Sequence, residues 1–250
     1  MENQRNPVGR PQGKSVKGRE TERRILETAM ALFARQGFGN TSLRQIATEA
    51  GVSPGLTYRY FSSKESIVIA WYTEHTESIQ KIVSELPDGD IARRFICAFE
   101  HKLARLKPYR LAIPALLSTA IDPTSPAFLF GKETQRFRDH TRSLLKQVVA
   151  GATPKVPPDA VETLATLLFF AQLGFLLLWS MDSSAADATS KTLLKRFGRL
   201  INLTTPFLKS QSIRSLIGQS IDEIYTLLQA KSDRATDDIN HQTGEDPCPI

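Results

Sequence analysis

Apolar residues recur at helical spacing along most of this chain, and no run alternates as a half-buried strand would. Between Thr21 and Gln36, Ile25, Leu26, Ala29, Leu32 and Phe33 form one stripe, and Gly37 ends the helix. From Ser42 to Ala50 the apolar positions are Leu43, Ile46, Ala47 and Ala50, with Arg44, Gln45, Thr48 and Glu49 facing away. Ser42 followed by Gln45 is a capping-box pair. Gly51 can take the left-handed conformation that stops this helix, and Val52 can fill the gap after it. Ser53 then caps a further short helix with Pro54 in its first turn. Ser62 and Glu65 repeat the capping spacing and predict a long helix from Lys64 to about Leu86, burying Ile67, Val68, Trp71, Tyr72, His75, Ile79, Ile82 and Val83. After the breaker Leu86-Pro87-Asp88-Gly89-Asp90, helices are predicted over Ile91–Leu106, over Tyr109–Ile121 with a kink at Pro114, and from Pro126 to about Ala150. A proline-rich loop at 151–158 precedes helices at about 163–181, 186–208 and 213–228. The fold class read from this pattern is all-α.

The two short helices around Gly51 form a helix-turn-helix, whose second helix is the candidate reader of a DNA major groove. Charge sharpens this. Residues 1–64 hold 11 Lys/Arg against 5 Asp/Glu, which accounts for the whole formal charge of +6, while the remaining residues hold 21 of each. Positive charge confined to the segment with the motif suits phosphate neutralisation. Residues 1–19 carry Arg5, Arg10, Lys14, Lys17 and Arg19 among glycines and prolines and read as a flexible basic arm. Within it, Gly9-Arg10-Pro11 is a short match to the core of a minor-groove AT-hook, beside the simpler reading of general electrostatic attraction.

Thr41-Ser42-Leu43, Ile46-Ala47, Ala50-Gly51-Val52-Ser53, Gly55, Tyr58, Tyr60-Phe61 and Lys64-Glu65 stand in the order in which they occur in TetR/AcrR-type transcriptional repressors, and residues 20–66 resemble their DNA-binding domain. Thr57 departs from that pattern, which has a larger aliphatic residue there. The resemblance implies a three-helix DNA-binding domain at 20–66, a larger helical bundle for effector binding and dimerisation at 67–230, and a polar tail at 231–250, expected to be disordered. Geometry and resemblance together assign the DNA-facing residues. Gly55 leaves the recognition helix free to approach the bases, Pro54 and Leu56 can touch thymine methyls, and Ser53 opens the same face. Tyr58, Arg59, Lys64, Thr41, Ser42 and Arg44 are expected at phosphates, with Tyr60 as a core aromatic.

Residues 163–181 contain no charge and are long enough to span a membrane. The flanks Glu162 and Asp182 and the central Gln172 argue instead for a helix buried in protein. With the helix at 186–208 it would form, by the resemblance, a four-helix homodimer interface through Leu168, Phe175, Leu176, Leu193, Phe197, Leu200 and Ile201. The resemblance also implies an effector pocket, with Phe95, Phe99, Phe128 and Trp179 as candidate walls and His101 or Arg105 as polar anchor; plain core packing is the other reading of these residues.

His75, His101, His140 and His241 are scattered without metal-ligand spacing, and Cys97 and Cys248 suggest no disulfide framework, so no cofactor, metal or catalytic group is expected. The polar N-terminus carries no apolar run, which predicts a cytoplasmic location. The expected protein is a non-enzymatic, ligand-responsive regulator that binds a pseudo-palindromic double-stranded operator as a dimer, most simply a repressor released by a small apolar or aromatic effector. A membrane-tethered regulator and an effector-independent organiser of DNA are the alternatives.

Overall fold

The computed structural model describes residues 16–243, and within them every regular element is helical. The expected arm and its Gly9-Arg10-Pro11 lie outside the described residues except for residues 16–19, as do residues 244–250 of the tail. Helix α1, Val16–Gln36, begins before the expected start at Thr21, because Lys, Arg and Glu sustain a helix without burying anything. It lies over α2, Leu43–Glu49, and α3, Pro54–Tyr60, and Ile25, Ala29, Phe33, Ile46 and Phe61 close a small core between them.

Helix α4, Lys64–Glu77, is capped one residue later than expected, by reciprocal bonds between Ser63 and Ser66 rather than by Ser62 and Glu65. Nor does it reach Leu86. It stops at Glu77 and a short α5, Gln80–Ser84, follows. At the break Ser78 and Ile79 keep right-handed helical angles, and Ile79 N donates to Thr76 O at 3.1 Å, three residues back, so the ladder tightens there; the Thr73, Thr76 and Ser78 hydroxyls also donate to the carbonyls of Ile69, Tyr72 and His75.

Helix α6, Ile91–Leu106, is capped by Asp90, whose Oδ1 accepts from the Arg93 backbone at 2.8 Å. A 3₁₀ segment at Lys107–Ala112 packs against α1 and so joins the bundle to the N-terminal domain. Pro114 lies in the first turn of α7, Ile113–Ile121, where its missing N–H costs nothing, so it starts the helix instead of kinking it. Residues 122–126 form the break that Asp122-Pro123-Thr124-Ser125-Pro126 predicts, but residues 127–134 are also irregular, where a helix is predicted. Thr134 Oγ1 lies within 3.2 Å of the Phe128, Leu129 and Gly131 carbonyls, and the buried Arg138 donates to Leu129 and Gly131, so side chains satisfy this backbone without a helix.

Helix α8, Gln135–Ala150, runs beside the 24-residue α9, Pro158–Met181, which forms the spine of the bundle. Arg94 on α6 closes the C-terminal end of α8. Its guanidinium donates to Val148 at 3.0 Å in the last turn of α8, and to Pro87 at 3.0 Å and Leu86 at 3.2 Å in the loop after α5, so one cation serves the helix end and the neighbouring loop. Helix α10, Ala188–Thr204, packs on α6 at Gly198, where an added Cβ would lie 2.7 Å from Ile96 Cδ1. Helix α11, Gln211–Thr243, continues through residues 231–243, where a disordered tail is expected from the polar composition.

Candidate functional site

Local chemistry fixes the face formed by α2 and α3. Ser42 Oγ accepts from the Gln45 backbone at 3.2 Å, and Gln45 Oε1 accepts from the Ser42 backbone at 2.8 Å. Gly51 has φ +64°, a conformation that favours glycine, and Val52 N donates to Ala47 O at 3.0 Å across the turn. Ser53 Oγ accepts from Leu56 N at 3.2 Å, with Pro54 in the first turn of α3. Arg35 makes two bonds to Glu49, at 3.1 and 2.8 Å, tying the end of α1 to the end of α2. That hydrogen-bonded pairing raises the Arg35 pKa and lowers that of Glu49.

Arg44, Ser53, Pro54, Gly55, Tyr58 and Arg59 are all exposed, Tyr58 at 51%, while Leu56 is half-buried beside them. A Cβ built on Gly55 meets no atom within 4 Å. The protein's own packing therefore does not require glycine there. Thr57 is fully buried under α3, so the smaller residue at this position is accommodated with the helix intact. Of the expected phosphate contacts, Thr41 is placed otherwise: it is 2% exposed and its hydroxyl donates to Gly37 O at 2.8 Å. The exposed Ser42 accepts with Oγ in the cap, which leaves its O–H proton to donate outward, and Lys64 Nζ donates one of its three protons to Phe38 O at 2.7 Å while sitting 4.5 Å from the Phe38 ring centroid. A motif read from sequence does not separate the structural use of Thr41 from a phosphate contact.

Two cavities in the second domain involve the candidate residues. The inner one, of about 30 Å³, is enclosed by Thr76 and Ile79 near the α4–α5 break, Phe95, Phe99 and Lys102 of α6, Leu144 and Val148 of α8, and Gln172 of α9. That is room for about one water molecule. The outer one, of about 380 Å³, lies between α6, α9 and α10 and is lined by Phe99, Phe175, Trp179 and Leu194 with Lys107, Asp187 and Lys191 near its edge. Its volume lies in the range of small-molecule sites. Phe99 borders both, stacked 5.8 Å from Phe95 at 8° and 6.3 Å from Phe175 edge-on.

Phe95, Phe99 and Trp179 thus border cavities. Phe128 does not: it is buried against Phe130 at 5.7 Å. His101 and Arg105 are exposed and line neither cavity, and His101 Nδ1 lies 2.8 Å from the carbonyl of Cys97, one turn back. The polar pair inside is Lys102 and Gln172, joined by a 3.1 Å bond from Nζ to Oε1. Burial pushes the Lys102 ammonium down to about 8. Its position seven residues after Phe95, on the buried stripe, was the available signal.

The proposed interface residues divide. Leu168, Leu176 and Ile201 are buried in their own protomer; Phe175 and Phe197 pack on each other at 5.1 Å; Leu193 is half-buried; Leu200 is 53% exposed. The exposed apolar stripe of α9 is instead Leu167, Gly174, Leu178 and Met181, continued at Leu203 and Phe207 and on α11 at Leu216, Ile224 and Leu227. In a helix apolar all round, periodicity cannot say which side faces its own core.

Residues 25–71 match the family model described as bacterial regulatory proteins, tetR family. An uncharacterized helix-turn-helix transcriptional regulator of Bacillus subtilis, YuxN, is 36% identical over 76 residues, covering 30% of this chain and 26% of the relative. The transcriptional regulator HbdR of an Aromatoleum species is 31% identical over 127 residues, covering 51% of this chain and 50% of the relative. The chain therefore spans half or less of the length of these relatives. A tetR-family transcriptional regulator from Streptomyces coelicolor, known as a crystal structure, superposes with a TM-score of 0.54 at 18% identity, over 91% of this chain and 99% of that one. This likeness establishes the all-helical fold across both domains.

Proposed function

The N-terminal domain of this chain is that of the TetR family of bacterial regulatory proteins, and from that premise we propose that the protein is a homodimeric repressor that leaves its operator when a small molecule binds. The observation that carries the DNA reading is the open face at Gly55: a glycine that the fold does not need, bordered by exposed Arg44, Tyr58 and Arg59. A surface built for close approach to a groove has this composition. Pro54 and Leu56 are the apolar readers at the helix N-terminus; Arg44, Tyr58 and Arg59 are the phosphate contacts. With few groups able to read base edges, DNA shape carries part of the discrimination.

The exposed stripe on α9 supports dimerisation. Leu167, Leu178 and Met181 are large apolar side chains in water, and Gly174 between Leu167 and Leu178 allows a second helix to come close. Two such domains on a two-fold axis would read half-sites roughly 34–36 Å apart, or a multiple of that. α9 is the one described helix long and apolar enough to cross a membrane, yet its other face is packed in the bundle and carries the Gln172 bond to Lys102. That favours a protein interior over a lipid setting for it. For effector response, the support is that Thr76 and Ile79, flanking the α4–α5 break, form a wall of the inner cavity while α4 begins beside the recognition helix. Release requires only that the ligand bind the DNA-incompetent arrangement better.

The test is selection from random duplex DNA with the purified chain at physiological salt, followed by sedimentation of the complex. An inverted repeat bound by two protomers is the expected result. Binding that is sequence-blind and abolished by salt would instead favour an organiser of DNA, and recovery of the protein only with membranes a tethered regulator.

A further inference from the structure

The inner cavity contains one charged group and nothing that neutralises it. Ile79, Val83, Phe95, Phe99, Leu144 and Val148 are apolar walls, and the Thr76 and Thr141 hydroxyls donate to carbonyls of their own helices, Tyr72 and Phe137. The Lys102 ammonium has three protons to donate and its bond within the cavity is to the neutral oxygen of Gln172. No Asp or Glu lines the cavity, and the nearby His75 is held toward its neutral form by burial first and then by Lys102 and Arg105. The Lys102 side chain is half-buried over its whole length while its ammonium end lies desolvated against Gln172, and a desolvated cation with no carboxylate beside it in the cavity is costly to the folded state.

We propose that this cavity takes an organic monocarboxylate, its anionic head on Lys102 Nζ and the Gln172 amide and its apolar body directed past Phe99 into the outer cavity. The proposal rests on the effector reading above and names the chemical class of the effector. The head supplies the missing charge, and the Gln172 NH₂ can donate to its second oxygen. A primary amine is repelled by Lys102. A phosphate monoester brings a second charge with no second cation inside to meet it. The body cannot fit in about 30 Å³, but Phe99 is the shared wall with the cavity of about 380 Å³, and a change of its rotamer joins the two.

The experiment uses the full chain, titrated calorimetrically with decanoate and 4-phenylbutyrate, with decanol and 4-phenylbutan-1-ol, and with decylamine. Binding is expected for at least one acid and to be weaker for its alcohol and absent for the amine. Lys102→Met and Lys102→Gln, each checked for native helicity, are expected to weaken the acid by about tenfold to hundredfold while leaving the alcohol unchanged. An alcohol or the amine binding as tightly as the acid, an acid indifferent to both substitutions, or no binding by any probe overturns the inference. The same probes are added to the protein on its selected DNA. Lys102-dependent acid binding without DNA release leaves the inference standing and removes the effector reading. Release by the alcohols alone does the reverse.

Discussion

Lys102→Met tests whether the chain carries a charge in its interior at the expense of stability. The ammonium falls from an ordinary 10.5 to about 8 because burial disfavours its charged form. A base whose folded pKa is depressed costs the fold most below the folded value, and the cost is lost as pH rises from about 8 to 10.5. At pH 7 a shift of that size corresponds to about 3 kcal/mol. Against this stands the Gln172 amide, which loses its 3.1 Å partner in the variant, a pH-independent penalty of about 1–3 kcal/mol. The net gain at pH 7 is therefore small and positive, and the informative quantity is its pH dependence. Linkage gives a gain about 2 kcal/mol smaller at pH 9.5 than at pH 7, since most of the native-state ammonium has by then lost its proton. Urea unfolding of both proteins, followed by circular dichroism at equal protein concentration so that dimer mass action cancels, measures it. A difference that stays flat between those two pH values would show Lys102 to be solvated in solution and would remove the reason for assigning it to an anion.

Gly55→Leu is expected to fold with unchanged or slightly raised stability, up to about 1 kcal/mol, because helix propensity improves and nothing within 4 Å obstructs the first side-chain atom. It should nonetheless weaken operator binding about tenfold or more, and tight binding by this variant would remove the close-approach argument. Arg59→Ala should weaken binding to selected and unrelated DNA alike and lower the salt slope by about 1, measured by fluorescence anisotropy; a loss confined to one base pair would make it a reader instead. Arg94→Met leaves the carbonyls of Val148, Pro87 and Leu86 without their donor and should cost about 2–4 kcal/mol, with thermal unfolding unchanged from the parent as the contrary result. Leu178→Glu places a charge in the exposed stripe and should yield monomers in sedimentation, whereas a persistent dimer would move the interface off α9.

What the sequence makes legible here follows from how local each signal is. The capping box at Ser42 and Gln45, the stop at Gly51 and the cap at Ser53 are decided within four residues, and each stands in the structure as read. The α4–α5 break is not legible because the chain keeps right-handed helical angles through Ser78 and Ile79 and changes only from i−4 to i−3 bonding, a shift that leaves the apolar pattern intact. Residues 127–134 read as helix from Phe128, Leu129 and Phe130, but the structure that forms depends on Arg138, whose partners lie up to nine residues away. The inner cavity was half legible: Phe95 and Phe99 announce a buried stripe, whereas Lys102 and Gln172 acquire meaning only when α6 and α9 face each other across 70 residues of chain.

The α4–α5 break also bears on how the two domains could be coupled. A continuous helix from Lys64 to Leu86 would carry a push as a rod, moving both ends together. Here the cavity side chains Thr76 and Ile79 flank Ser78, where the i→i−4 ladder is already shared with hydroxyls, so pressure on that wall meets a joint rather than a rod. Above the joint, Trp71 packs on His75 at 4.3 Å and on Tyr109 at 5.6 Å, and Tyr109 belongs to the 3₁₀ segment that lies on α1. The same segment reaches the outer cavity through Arg110, which pairs with Asp187 and lies 5.0 Å from the Trp179 ring centroid. A ligand spanning both cavities would therefore act on residues 107–112 at two points, Tyr109 from α4 and Arg110 from the outer cavity, and through that segment on α1. Coupling of about 1–3 kcal/mol, the usual scale, then needs only a modest difference in fit between the two arrangements at either one. Both inputs end on the helix whose buried face, Ile25, Ala29 and Phe33, packs with Ile46 of α2 and whose exposed Arg35 bonds to Glu49.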